Sequence, residues 1–218
     1  MIPLRAPSTL PSTTNPSLPP PPLAWLTGAW NVTHSTLPMW KKSRNVRITY
    51  TPLAHTSPVQ LDDVVSYQSL SSAKLKTVHG VDKPFDVANG DGNGDNSQGQ
   101  GQSHSQGAAD KDKDGHGHAA ELASLGYNWR GKGWLVIASS KWEILGYGDE
   151  EGTDNQYVVT YFAATLFTPA GVDFYSRQGS LRPETVESIK AALVGLGGDV
   201  AGLATKVFAV AMDSDRAE

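Results

Sequence analysis

The sequence predicts an all-β fold, a meander of nine or so antiparallel strands followed by one or two helices. Three observations predict it. From Leu23 onward, short runs rich in β-branched and aromatic residues alternate with turn residues. The gaps between these runs carry no helical periodicity long enough for the crossover that neighbouring parallel strands require. The first amphipathic helical pattern comes only after Pro183.

Taken in order, Met1 to Pro22 is mostly Pro, Ser and Thr. Residues 1–23 are therefore expected to be disordered, with Pro19 to Pro22 as a short polyproline II rod. Strands are expected at 30–35, 46–50, 64–68, 75–79, 127–130, 134–138, 142–147, 157–167 and 172–177. Asn89 to His118 has no Val, Ile, Leu, Met, Phe, Tyr or Trp, which makes 88–120 a disordered insert between the fourth and fifth strands. Pro183, Glu184 and Glu187 suit a helix start, and Val186, Ile189, Ala192 and Leu193 share one face until Gly197-Gly198 stops it. Val200 to Met212 repeats the periodicity through Leu203, Val207 and Val210 and predicts a second helix; residues 213–218 are a polar tail. All six Trp and all seven Tyr lie outside the low-complexity stretches, in one domain over 24–212.

Composition excludes several functions. With 18 basic and 22 acidic residues the chain is weakly acidic, so a phosphate-tracking nucleic-acid surface has no support. No apolar run approaches the roughly 18–20 residues that span a bilayer. The absence of cysteine removes disulfides, thiol catalysis and Cys-based zinc sites, and suits a cytoplasmic protein. Asp91-Gly-Asn-Gly-Asp95 departs from a calcium loop at Asn96 and Gln102, and His104, His116 and His118 have nothing to fix a metal geometry. Gly131-Lys-Gly133 lacks the spacing and following helix of a phosphate loop, and Ser139-Ser140-Lys141 reads as a hairpin turn. No metal and no cofactor are expected.

Gly28-Ala-Trp30 opens the first strand, and Arg177 stands at the end of the last, before the helix. With the meander, this resembles the calycin superfamily, the lipocalins in particular. The resemblance implies an antiparallel up-and-down barrel of eight to ten strands with a C-terminal helix. It also implies that Trp30 plugs the closed end with Arg177 stacked on it, and that the cavity binds a small hydrophobic or aromatic molecule. The alternative it implies is a cofactor-free cyclase or isomerase using the same cavity. In the nitrobindin branch a late histidine ligates haem. This chain has no histidine after His118, which disfavours that role unless His34 or His79 takes it.

Residues of a barrel strand alternate inward and outward. If Trp30 points in, Val32 and His34 share its face; Val46, Ile48 and Tyr50 form the next inward set, with Arg44. Val65 and Tyr67 share a face, and outward lysines put Leu75, Thr77 and His79 inside, where Asp82 can orient His79. Trp142 and Ile144 point in while Lys141 and Glu143 point out. In Tyr157 to Phe162 both faces are apolar; Tyr157, Val159 and Tyr161 are the favoured inward set, and Phe174 and Tyr175 cannot both be inside. The expected ligand-binding residues are thus His34, Trp40, Arg44, Tyr50, Tyr67, His79, Trp142 and Tyr161. His34 and His79 supply acid/base chemistry if the protein is an enzyme.

Overall fold

Strands β1 (Gly28–Ser35), β2 (Ser43–Pro52), β3 (Leu61–Ser69), β4 (Leu75–Phe85), β5 (Gly126–Gly131), β6 (Ser139–Asp149), β7 (Gln156–Phe162) and β8 (Gly171–Ser176) run up and down in chain order. The computed structural model describes residues 2–10, 18–87, 121–133 and 137–213. β1 pairs with β2, Trp30 opposite Ile48, and with β8, Val32 opposite Tyr175, which closes the eight strands into an antiparallel barrel. A short ninth strand, β9 (Phe208–Ala209), lies along the end of β1 where β2 has diverged. There the Val210 N–H donates to the Thr33 carbonyl at 2.8 Å and the Asn45 N–H to the Ala211 carbonyl at 2.9 Å. This segment is extended rather than continuing the second helix predicted to Met212; α3 (Gly198–Ala204) is correspondingly short.

The connections β2–β3, β4–β5 and β6–β7 fall at one end of such a barrel, and β1–β2, β3–β4, β5–β6 and β7–β8 at the other. The first end is plugged. One helical turn, α1 (Leu23–Leu26), buries Leu23 and Leu26 beneath Trp30, whose indole N–H donates to the Leu26 carbonyl at 2.7 Å. The Arg177 guanidinium lies 3.6 Å from the Trp30 ring centroid and donates to the carbonyls of Ala29 and Thr27, each at 2.9 Å, and of Trp25. One cation thus stacks on the plug and satisfies three carbonyls of the turn leading into β1. Gly28 sits at φ +89°, a conformation side chains rarely adopt, which accounts for the glycine of the Gly-x-Trp.

Two cores result. The barrel interior holds Trp30, Val32, Val46, Ile48, Tyr50, Tyr127, Trp142, Ile144, Val158 and Tyr175. Outside it, α2 (Pro183–Gly195) and α3 cover Tyr157, Val159, Tyr161, Val172 and Phe174 with Val186, Ile189, Leu193, Val200 and Leu203. No helix among the described residues is long and apolar enough to cross a membrane.

The N-terminal segment differs from its expectation of disorder. Leu4, Arg5 and Ala6 are buried, and the Arg5 N–H donates to the Leu145 carbonyl at 2.8 Å. Gly146 lets the segment pass, since a Cβ there would stand 2.4 Å from Leu4. Pro21 and Pro22 are likewise held, against Leu122 and Ala123. In the tail, Asp213 pairs with Arg44 and accepts a hydrogen bond from Asn45 at 2.8 Å. The strand predicted at 134–138 is not formed at Ile137 and Ala138, and its residues 134–136 lie outside the described residues. Ser139 to Lys141, predicted as a turn, begins β6. The proposed insert and the Asp91–Asp95 and His104, His116 and His118 motifs also lie outside the described residues.

Candidate functional site

The interior of the barrel and its unplugged end form the candidate site. Tyr50 and Trp142 face inward as alternation predicts, and Tyr127 joins them. The Trp142 ring is sandwiched, 5.6 Å from Tyr50 at an interplanar angle of 17° and 4.8 Å from Tyr127 at 23°. Toward the unplugged end, the 3-10 turn Pro38–Lys42 turns Trp40 inward, edge-on to Tyr67 at 5.6 Å. Tyr67, Trp129 and Phe162 are half-buried there and pack against the same core. Arg44 is half-buried and engaged with Asp213 at 3.4 Å.

Three expected interior residues lie outside. β1 carries a bulge between Val32 and His34, one extra residue that breaks the alternation. Beyond it Ser35 faces in and His34 faces out, 5.9 Å from the Phe174 ring and near Lys190 and Glu187 of α2. Burial, with Lys190, lowers the His34 pKa. On β4 the inward set is Val78, Gly80 and Asp82, because Asp63 of β3 faces in opposite Gly80; His79 is exposed on the outside and is not oriented by Asp82. The lysine argument fails at Lys76, which lies level with Tyr67 near the rim, its ammonium 5.9 Å from that ring. On β7 the inward set is Val158, Thr160 and Phe162; Tyr161 packs under the helices. With both histidines outside, neither stands where a cyclase or isomerase acting in the cavity would use it as acid or base.

What the sequence reading missed is the acidity of the interior. Asp63, Asp82 and Asp173 are buried, and each is matched with an indole. Trp142 donates to Asp82 Oδ1 at 2.8 Å, Trp40 to Asp173 Oδ2 at 3.2 Å, and Trp129 turns its N–H toward Asp63. Ser35 adds a 2.5 Å donation to Asp173 Oδ1. Burial pushes the Asp82 and Asp173 carboxyls up to about 7 and Asp63 well above the usual range, Asp63 being further raised by neighbouring Asp82. Burial also raises Tyr50 and Tyr175. Asp63 Oδ1 and Asp82 Oδ2 have no hydrogen-bond partner among the described residues. The signal was present in Asp173, which shares its face of β8 with Tyr175; Asp82 was hidden by the inverted reading of β4.

Gly80 makes room for this arrangement: a Cβ there would lie 2.1 Å from Trp129 Nε1. Gly80→Ala therefore displaces Trp129 from Asp63, and a loss of roughly 1–3 kcal/mol is expected, measured by urea denaturation with a shift in tryptophan emission. An unchanged midpoint and spectrum would show that the ring does not depend on this glycine.

The core side chains pack against one another across the interior. Two shallow hollows among the described residues lie elsewhere, one by Pro22, Leu23, Thr27 and Pro52, the other by Pro58, Pro84, Phe85, Val87 and Leu122. Space for a ligand is therefore to be sought at the unplugged end, above the Tyr50–Trp142–Tyr127 stack.

Compared by sequence, the chain matches no family model and no curated protein. By structure it is similar to apocrustacyanin C1 and to lobster apocrustacyanin A1, each with a TM-score of 0.50 and 14% identity, over 86% of this chain and 78% of that chain. At that identity the likeness is one of fold, and the barrel is lipocalin-like, as Gly28-Ala-Trp30 and Arg177 imply.

Proposed function

We propose that this protein binds one small hydrophobic or aromatic molecule at the unplugged end of its barrel. The observation that carries the reading is the aromatic lining there: Tyr67 edge-on to Trp40, with Trp129 and Phe162 half-buried against the same core, Phe162 6.5 Å from the Trp142 of the stack. Affinity comes from apolar area removed from water, and orientation from the indole and hydroxyl groups among those rings. The lipocalin-like fold supports this, since an antiparallel barrel of eight strands leaves an interior of the size of side chains or one small ligand.

Titration with neutral aromatic probes, N-phenyl-1-naphthylamine first, is expected to quench tryptophan emission saturably. Tyr67→Ala and Phe162→Ala are each expected to weaken binding roughly ten-fold, about 1.4 kcal/mol, while leaving the deeper stack intact. Lack of saturable quenching across a panel of aromatic and aliphatic probes, or unchanged affinity in both variants, would rule the site out.

A further inference from the structure

Eight large apolar residues stand exposed among the described residues, and six of them lie at the unplugged end of the barrel. They are Met39 on the β1–β2 connection, Leu70 and Leu75 around the β3–β4 turn, Ile137 on the β5–β6 connection, and Leu166 and Phe167 on the β7–β8 connection. Ile137, Leu166 and Phe167 are each about nine-tenths exposed. A monomeric surface scatters such residues singly, and their concentration on the connections of one end marks a contact face.

Charge selects the partner. Residues 36–44, 67–76, 130–139 and 162–171, which make up these connections and the adjoining strand ends, contain seven Lys and Arg and no Asp or Glu. The rest of the chain carries eleven bases and twenty-two acids. Of these, Lys132 is paired with Asp62 and Arg44 with Asp213. Lys41, Lys42, Lys74 and Lys76 are exposed and meet no carboxylate among the described residues. A weakly acidic protein thus presents one basic end tipped with apolar side chains. A second copy on this face would oppose like charges, and separate protruding tips suit a deformable medium better than a fixed complementary surface. We propose that the unplugged end docks onto an anionic lipid bilayer, the lysines meeting headgroups while Ile137, Leu166 and Phe167 enter the interface.

The test uses the full chain in flotation with vesicles of phosphatidylcholine alone and of phosphatidylcholine with about 30 mol % phosphatidylserine. Partition into the anionic vesicles is expected to exceed that into neutral ones by roughly ten-fold or more, and to fall as salt shortens the Debye length from about 10 Å at 0.1 M toward 3 Å at 1 M. Ile137→Asp/Leu166→Asp/Phe167→Asp and Lys42→Glu/Lys74→Glu change only exposed positions, so circular dichroism should match the parent; each is expected to cut partition roughly ten-fold. Equal partition into both vesicles, or binding insensitive to both variants, would overturn the proposal. So would a concentration-dependent dimer without lipid that the apolar triple substitution abolishes, since the face would then belong to a second copy. Ligand titration needs no vesicles, so either proposal can fail without the other.

Discussion

Arg5→Ala is expected to lower the unfolding free energy by about 3–5 kcal/mol, although Arg5 stands five residues from the start of the sequence. Its guanidinium donates to Glu143 Oε2 at 2.5 Å, to the Ile144 carbonyl at 2.9 Å and to the Ala6 carbonyl at 2.9 Å. Ser8 adds its hydroxyl, 2.5 Å from Glu143 Oε1, and its backbone N–H. Glu143 is 1% exposed and Arg5 6%, so removing the cation leaves a carboxylate with little access to water on the outer side of β6. At roughly 2–4 °C per kcal/mol for a chain of this size, the melting temperature should fall by about 6–20 °C. Glu143→Ala strands the guanidinium in the same way. The double variant Arg5→Met/Glu143→Met removes both charges and is expected to recover most of the loss, because the cost lies in an unpaired buried ion rather than in the pair's net worth. Denaturation of the three proteins decides it; single variants within about 1 kcal/mol of the parent would mean that the pair behaves as an exposed one.

The second large effect is a dependence of stability on pH that runs opposite to ordinary acid denaturation. Asp82 and Asp173 are raised from 3.8 to about 7 by burial. Between those values the folded chain keeps protons that the unfolded chain releases. The stability these groups contribute is therefore fully present below about pH 4 and is lost as the pH rises through the folded-state value near 7. For Asp173 alone, a rise of that size corresponds to about 4 kcal/mol between the two ends of the window. Asp173→Asn cannot ionise, so the stability difference between parent and variant should move in the variant's favour by several kcal/mol, about 4 at most, from pH 4 to pH 8. Comparing the two proteins cancels the titration of surface groups and of Glu150, whose pKa is lowered by the hydrogen bonds from Asn155 and Arg182 against the opposing effect of burial. Parallel stability curves would show that Asp173 titrates as an ordinary carboxylate.

The meander, the plug and the inward faces of β2, β3 and β6 were legible because each rests on a local signal: alternation of Val46, Ile48 and Tyr50, the pairing of Val65 with Tyr67, and Gly28-Ala-Trp30 with Arg177 at the far end. His34 was misplaced because alternation was carried through a bulge, and no residue type at Thr33 announces one. Tyr161 was misplaced because apolar residues on both faces of β7 report two-sided burial without saying which side is the barrel. Helices on the outside explain the second face, and the amphipathic pattern after Pro183 was the clue to them. On β4 the choice turned on keeping lysines outside, whereas Gly80 and Asp82 face Trp129 of the adjacent β5 and Trp142 of β6 beyond it. Leu4 and Arg5, set in a Pro- and Ser-rich context, gave no periodicity; their burial depends on Glu143 and Gly146, far along the chain.

The closing seam bears on synthesis as well as on stability. β1 is synthesised well before β8, yet β8 is one of its neighbours, with Asn31 and Ser176 separated by 145 positions, and its other edge, beyond the pairing with β2, is completed by β9 and Val210. Until those arrive, the nascent chain carries an unpaired edge with Trp30 and Val32 on its apolar face, a template open to any other strand. Release before β8 would produce not a smaller barrel but a sheet with two free edges.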